Sequence, residues 1–273
     1  MASVSLCCLV FNVQANPGDP AGPPLPQPRA DFNLDLNSDI IWQHTSGARA
    51  LWLMNGSVRA RSVSLGEVPA SWEIKGSGDF NGDSEPDILW QNNSTGQRAI
   101  WLMDGFVRIS SVYLPSISTD WDFAGAGHFN ADGNTDILLQ NTVTGERVIW
   151  FLDSTGFRSS YTFNMLGVSW EIVGAGAFSG VDAVDIVWQN SVTGQRAIWI
   201  MNGPYKVNSV YLPTVSTDED IGGTGDFNMD GMTDILFQNT ATGARTIWLM
   251  NGTTFSSSVS LGTVDTNWEI ENY

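Results

Sequence analysis

Asp79-Phe80-Asn81-Gly82-Asp83-Ser84-Glu85-Pro86-Asp87-Ile88-Leu89-Trp90-Gln91-Asn92 decides the fold, because the chain writes this stretch five times. A second conserved-length stretch, Gly96-Gln97-Arg98-Ala99-Ile100-Trp101-Leu102-Met103-Asp104-Gly105, follows it in each copy with small changes. The copies begin at Asp31, Asp79, His128, Ala177 and Asp226, spaced by 48, 49, 49 and 49 residues. A period of this length marks stacked supersecondary units, none of which buries its apolar face alone. Residues 31–273 therefore read as one repeat domain, and residues 1–30 stand apart.

Each copy divides into four short strands. Trp72 to Gly78 opens it, a polar loop follows, and Asp87 to Asn92 comes next. Thr95-Gly96 turns the chain into Arg98 to Met103, and Asp104-Gly105 turns it into Arg108 to Leu114. Short runs rich in Ile, Val, Trp and Thr, broken by Gly and Asp-Gly, are strand and hairpin signals. No stretch carries sustained helical spacing with caps. Four antiparallel strands per repeat make a propeller blade, so the expected fold is all-β, a five-bladed β-propeller. The phase of the repeat closes the ring. Trp72, Trp121 and Trp170 each stand seven residues before a polar loop, but that position before Asp31 holds Pro24. Trp268-Glu269-Ile270 arrives without a loop after it, so the C-terminal strand is expected to complete the first blade. Closure of this kind hides sheet edges that would otherwise pair with other chains.

Acids outnumber bases 29 to 12, for a net charge of −17, which argues against nucleic acid and anionic membrane surfaces as partners and suits a cation binder. The apolar stretch Val4 to Val13 is too short to span a bilayer, so no membrane insertion is expected. Val4 to Val13 is apolar and Val13-Gln14-Ala15 looks like a cleavage site, so a secretory leader and an extracellular location are expected, although no Lys or Arg precedes it. Six prolines between Pro17 and Pro28 form an extended tether. Cys7 and Cys8 both lie in the leader, which leaves the repeats without a disulfide.

The polar loop follows Asp-x-Asn-x-Asp-x-x-x-Asp. The sets are Asp31, Asn33, Asp35 and Asp39; Asp79, Asn81, Asp83 and Asp87; and Asp226, Asn228, Asp230 and Asp234. Carboxylate and amide oxygens at alternate positions suit one hard cation, Ca²⁺ above all. The twelfth position holds Trp42, Trp90 or Phe237, which excludes an EF-hand. The third copy has His128 first and keeps Asn130, Asp132 and Asp136, a weakened site; the fourth, Ala177 to Asp185, has lost most ligands and is expected to bind none. The competing reading is that Asp and Asn are here to shape turns. The loop, its Phe, and the Asp-Ile-Leu after it resemble the FG-GAP/VCBS repeats of integrin-type propellers. That resemblance implies Ca²⁺ held between the first two strands of a blade.

All twelve Trp fall in three repeat positions, which favours blade-to-blade core over a ligand platform. One Arg per copy, Arg49, Arg98, Arg147, Arg196 and Arg245, is matched by one acid: Glu73, Asp122, Glu171, Asp220 and Glu269. A structural ion pair and a ligand-binding role for the arginines are both open. The series Gln43, Gln91, Gln140, Gln189 and Gln238 is equally regular. No nucleophilic triad, phosphate loop or zinc spacing is present, and no enzyme is expected. Propellers related by the resemblance include lectins with sites between blades, which implies a multivalent carbohydrate-binding module. The alternatives are an adhesion scaffold that binds a cell-surface protein or itself, and a glycan-cleaving enzyme.

Overall fold

In a computed structural model that describes residues 30–130, 132–153, 156–163, 166–180 and 184–270, the chain forms twenty strands and no helix among those residues. The first blade holds β1 (Ile40–His44), β2 (Ala48–Asn55) and β3 (Val58–Glu67). The second holds β4 (Trp72–Gly78), β5 (Asp87–Asn92), β6 (Arg98–Asp104) and β7 (Val107–Leu114). The third has β8 (Trp121–Gly127), β9 (Asp136–Asn141), β10 (Arg147–Asp153) and β11 (Gly156–Phe163). The fourth has β12 (Trp170–Gly176), β13 (Asp185–Asn190), β14 (Arg196–Asn202) and β15 (Tyr205–Leu212). The fifth has β16 (Glu219–Gly225), β17 (Asp234–Asn239), β18 (Ala244–Asn251) and β19 (Thr254–Thr263), and β20 (Trp268–Ile270) ends the series.

The topology is that of a five-bladed β-propeller of four-stranded antiparallel blades. β20 pairs with β1, Trp42 opposite Ile270 and His44 opposite Trp268, so the first sheet runs β20-β1-β2-β3. The ring is closed by the strand that the repeat phase singled out. The first strands of neighbouring blades contact one another, β4 with β8, β8 with β12, β12 with β16 and β16 with β20, which puts them innermost.

Residue choice follows from those places. The second strand of a blade is covered on both faces; all six residues of β5, β9 and β13 are buried. Such strands read as continuous apolar runs rather than alternating ones. Innermost strands crowd together at small radius and need small side chains. A Cβ at Gly222 would come within 2.8 Å of the Ile270 Cβ. Outermost strands are mostly exposed on both faces, and their Ser, Arg and Thr keep them soluble. Each blade's second hairpin needs one glycine: Gly96 sits at φ 72°, and a Cβ there would press on the Ile117 carbonyl.

Candidate functional site

In the second to fifth blades the polar loop connects the innermost strand to the next one, and in the first blade it leads into β1. In every copy the closing aspartate, Asp39, Asp87, Asp136, Asp185 or Asp234, is 0 % exposed. Its Oδ1 accepts the N–H of Met54, Met103, Leu152, Met201 or Met250 on the third strand at 2.8–3.0 Å. Its Oδ2 accepts the N–H of Phe32, Phe80, Phe129 or Phe227 at 2.9–3.0 Å, and of Ser179 in the fourth copy at 2.7 Å. In this structure Asp39, Asp87, Asp136 and Asp234 tie the loop to a strand. Burial pushes Asp39, Asp87 and Asp234 up to about 7 and Asp136 to about 6, against the N–H bonds that pull them down.

The other loop residues turn on one another. Asp31 accepts N–H bonds from Asp35 (3.0 Å) and Leu36 (2.7 Å). Asp79 accepts them from Gly82, Asp83 and Ser84, and Asp226 from Asp230 and Gly231. Asn33, Asn81, Asn130 and Asn228 each donate a side-chain N–H to Asp35, Asp83, Asp132 and Asp230 at 2.7–2.9 Å. Leu36 and Ser84 hold φ 70° where Gly231 holds 81°, so two loops keep a left-handed residue without glycine. That conformation costs a non-glycine residue about 1–2 kcal/mol. Among the described residues no three Asp, Glu, His or Cys side chains converge as a metal cluster. The first Asp is folded onto loop N–H groups and the closing Asp onto strands. What fits a cation is the donor chemistry: carboxylate and amide oxygens of Asp31, Asn33 and Asp35, and their equivalents, within one tight loop.

The seams between blades carry the two regular polar series. Arg49, Arg98, Arg147, Arg196 and Arg245 are 0–2 % exposed. Each donates through Nη2 to the carbonyl of the residue that opens the next blade: Trp72, Trp121, Trp170, Glu219 and Trp268. Four of them also lie over an aromatic ring of the next blade, Trp90, Phe123, Trp188 or Trp42, at 5.2–5.6 Å. A guanidinium sunk in the seam and bonded to the next blade's backbone latches the two blades together. The matched acids act on them through space, and burial still lowers Arg98 to about 10. Glutamine is the second latch. Gln43, Gln140, Gln189 and Gln238 accept the N–H of Ile74, Ile172, Ile221 and Ile270 in the next blade at 2.9–3.2 Å. The acids meet these glutamines, with Gln91 Nε2 on Asp122 at 3.2 Å and Gln189 Nε2 on Asp220 at 2.7 Å.

The tryptophans are core, with one open margin. Trp42, Trp90 and Trp188 are at most 1 % exposed and their indole N–H groups lack partners, so they are there for bulk. Leu139 and Phe237 fill the same place in the third and fifth blades. The outer row stacks on them: Trp42–Trp52, Trp90–Trp101 and Trp188–Trp199 at 4.4–4.5 Å, and Phe237–Trp248 at 4.7 Å.

The outer face of that row meets the seam, and sequence reasoning missed what stands there. A serine pairs across from every outer Trp, Ser62, Ser111, Ser160, Ser209 and Ser258, always ten residues later. A capping side chain follows seven residues after each Trp. Arg59, Arg108 and Lys206 lie over Trp52, Trp101 and Trp199 at 4.6, 4.6 and 4.3 Å. Phe157 and Phe255 cover Trp150 and Trp248 at 4.9 and 4.7 Å. At the seam of the third and fourth blades this becomes a cavity of about 140 Å³, lined by Leu166, Trp170, Trp199, Lys206, Ser209 and Tyr211. The fixed offsets were the available signal; only strand pairing shows that they put three side chains together.

No family model matches the chain, and no curated protein matches it. Solved structures do. A protein of unknown function from Bacteroides caccae is 12 % identical over 82 % of this chain and 73 % of its own, with a TM-score of 0.44. The β-propeller domain of Cps50 (Swd1) from Myceliophteria thermophila is 10 % identical over 82 % and 70 %, with a TM-score of 0.41. The Dos1 propeller is 13 % identical over 81 % and 56 %, with a TM-score of 0.35. Likenesses this distant carry no chemistry across.

Proposed function

We propose that this chain is a secreted, calcium-binding β-propeller of the FG-GAP/VCBS type that acts as a multivalent, lectin-like carbohydrate-binding module. The observation behind this reading is the seam margin, where an aromatic ring, a hydroxyl and a capping side chain recur at each of five blades. The serine hydroxyl suits a sugar's polar rim, and where the cap is Arg or Lys its N–H donors suit the ring's oxygens. Five weak sites on one rigid ring gain by avidity on a glycan-coated surface. Calcium would be held by Asp31, Asn33, Asp35, Asp79, Asn81, Asp83, Asp226, Asn228 and Asp230, and its charge would offset the crowded carboxylates, closing aspartates included. Its role is to stiffen loops that rest on the seams, where Thr233 of the fifth blade's loop accepts the Ala177 N–H of the fourth at 3.0 Å. The leader behind the extracellular assignment lies outside the described residues, apart from Ala30. Among the described residues no helix is long and apolar enough to cross a membrane.

A second reading, an adhesion scaffold, draws on the outermost strands. Val107, Ile109 and Tyr113 on β7, and Tyr205, Val207 and Tyr211 on β15, are 57–71 % exposed. A glycan array with and without calcium separates the two. Saturable binding to one sugar class supports the lectin reading; silence on the array with self-association in solution supports the scaffold; sugar release from a polysaccharide overturns both in favour of an enzyme.

A further inference from the structure

Positive charge in this acidic chain is placed very unevenly. Of its twelve Lys and Arg, five are the buried latch arginines. Lys75 sits between Glu73 (2.9 Å) and Asp122 (3.2 Å), Arg158 pairs with Asp153, and Arg29 lies outside the described residues. The remaining four, Arg59, Arg61, Arg108 and Lys206, are all exposed and all on the outermost strands β3, β7 and β15. Among the described residues none of the four makes an ion pair. Three of them rest on an outer Trp beside its serine.

We propose that the seams headed by Arg59, Arg108 and Lys206 bind an acidic sugar, a pyranose bearing a carboxylate, and that the seams headed by Phe157 and Phe255 do not. This deepens the carbohydrate reading above and rests on it. A cation lying on an indole is fixed by the ring yet keeps its N–H donors at the edge, and a guanidinium offers two of them in parallel to a carboxylate. Ser62 and Ser209 stand opposite the same indoles and can offer a hydroxyl there, while the Ser111 Oγ is buried beside Trp101. Two residues further on, Tyr113 and Tyr211 extend the second and fourth blades' surfaces, 71 % and 69 % exposed. The net charge of −17 does not oppose this at close range. Exposed charges beyond roughly 8 Å are screened at physiological salt, whereas a direct contact in a cleft is not. The competing explanation is that these cations only guard edge strands against pairing with other chains.

The test uses the full chain at physiological salt, with sodium glucuronate, methyl glucoside and sodium acetate as probes and the Trp indole N–H signals as an NMR readout. Glucuronate should saturate and move the signals of Trp52, Trp101 and Trp199 while those of Trp150 and Trp248 stay, with methyl glucoside at least tenfold weaker. Lys206→Met keeps an apolar stem on Trp199; it should remove the Trp199 response alone and leave thermal melting unchanged. Methyl glucoside binding as tightly, with all five outer tryptophans responding, would overturn the acidic preference and leave the carbohydrate reading standing. Acetate saturating the same signals with equal affinity would overturn it as a sugar site. No response to either sugar would defeat both readings and leave the edge-guard explanation.

Discussion

The closing aspartates of the second and fourth blades, Asp87 and Asp185, have the same place in the ring, and the residues before them have different chemistry. Loop two keeps Asp79, Asn81 and Asp83; loop four has Ala177 and Ser179 at the first two of those positions. Yet Asp87 and Asp185 are equally buried and make the same two kinds of bond, to Met103 and Phe80 in one and to Met201 and Ser179 in the other. The blade keeps its four strands with Ala177 and Val181 where loop two has Asp79 and Asp83, so acids at those two positions are not what builds the blade. The contrast separates two parts of one motif: the closing Asp ties the loop to a strand in both blades, whereas the alternating Asp-Asn-Asp shapes only the loop that keeps it.

The sharpest way to break this comparison is to remove both clamps in turn. Asp87→Ala and Asp185→Ala should be alike, each leaving two buried N–H groups without acceptors at about 1–3 kcal/mol apiece, and each lowering Tm by roughly 5–20 °C. A loss for Asp87→Ala that grows when calcium is added, with no such growth for Asp185→Ala, would place the closing Asp among the calcium ligands. Arg98→Ala extends the test to another residue that every copy keeps. Loss of its bond to the Trp121 carbonyl should cost on the order of 3 kcal/mol in a urea melt, with binding per folded molecule unchanged. A smaller effect concerns calcium itself. At one hundred times its Kd, each occupied loop should add about 2.7 kcal/mol to stability, visible as a rise in Tm. The finest comparison is Asp83→Ala against Ser179→Ala. Both should melt within about 1 kcal/mol of the parent without calcium. Only Asp83→Ala should reduce the number of calcium ions bound, by one, in a titration.

Much of this molecule was legible in its sequence because a repeat tests its own reading. The strand boundaries Trp72–Gly78 and Asp87–Asn92 match the observed ones, and ring closure followed from Trp268 arriving without a loop. The latch arginines were visible as a series but not as latches. A guanidinium and an acid once per repeat suggest an ion pair, whereas Arg98 in fact donates to a backbone carbonyl, a partner that no residue identity records. The serine and the cap beside each outer tryptophan were equally hidden. Seven and ten residues is no strand period; a bulge between Leu102 and Met103, and its counterparts, brings Arg108 and Ser111 to one indole.

By itself the sequence determined the five-fold plan, the four strands of each blade and the way the ends meet, because local propensity and period are written along the chain. Tertiary structure alone decided which aspartate clamps the loop to a strand, and which arginines are sunk in seams and which stand outside. Those assignments depend on burial and on partners from neighbouring blades, and neither is a property of a residue's own stretch of chain.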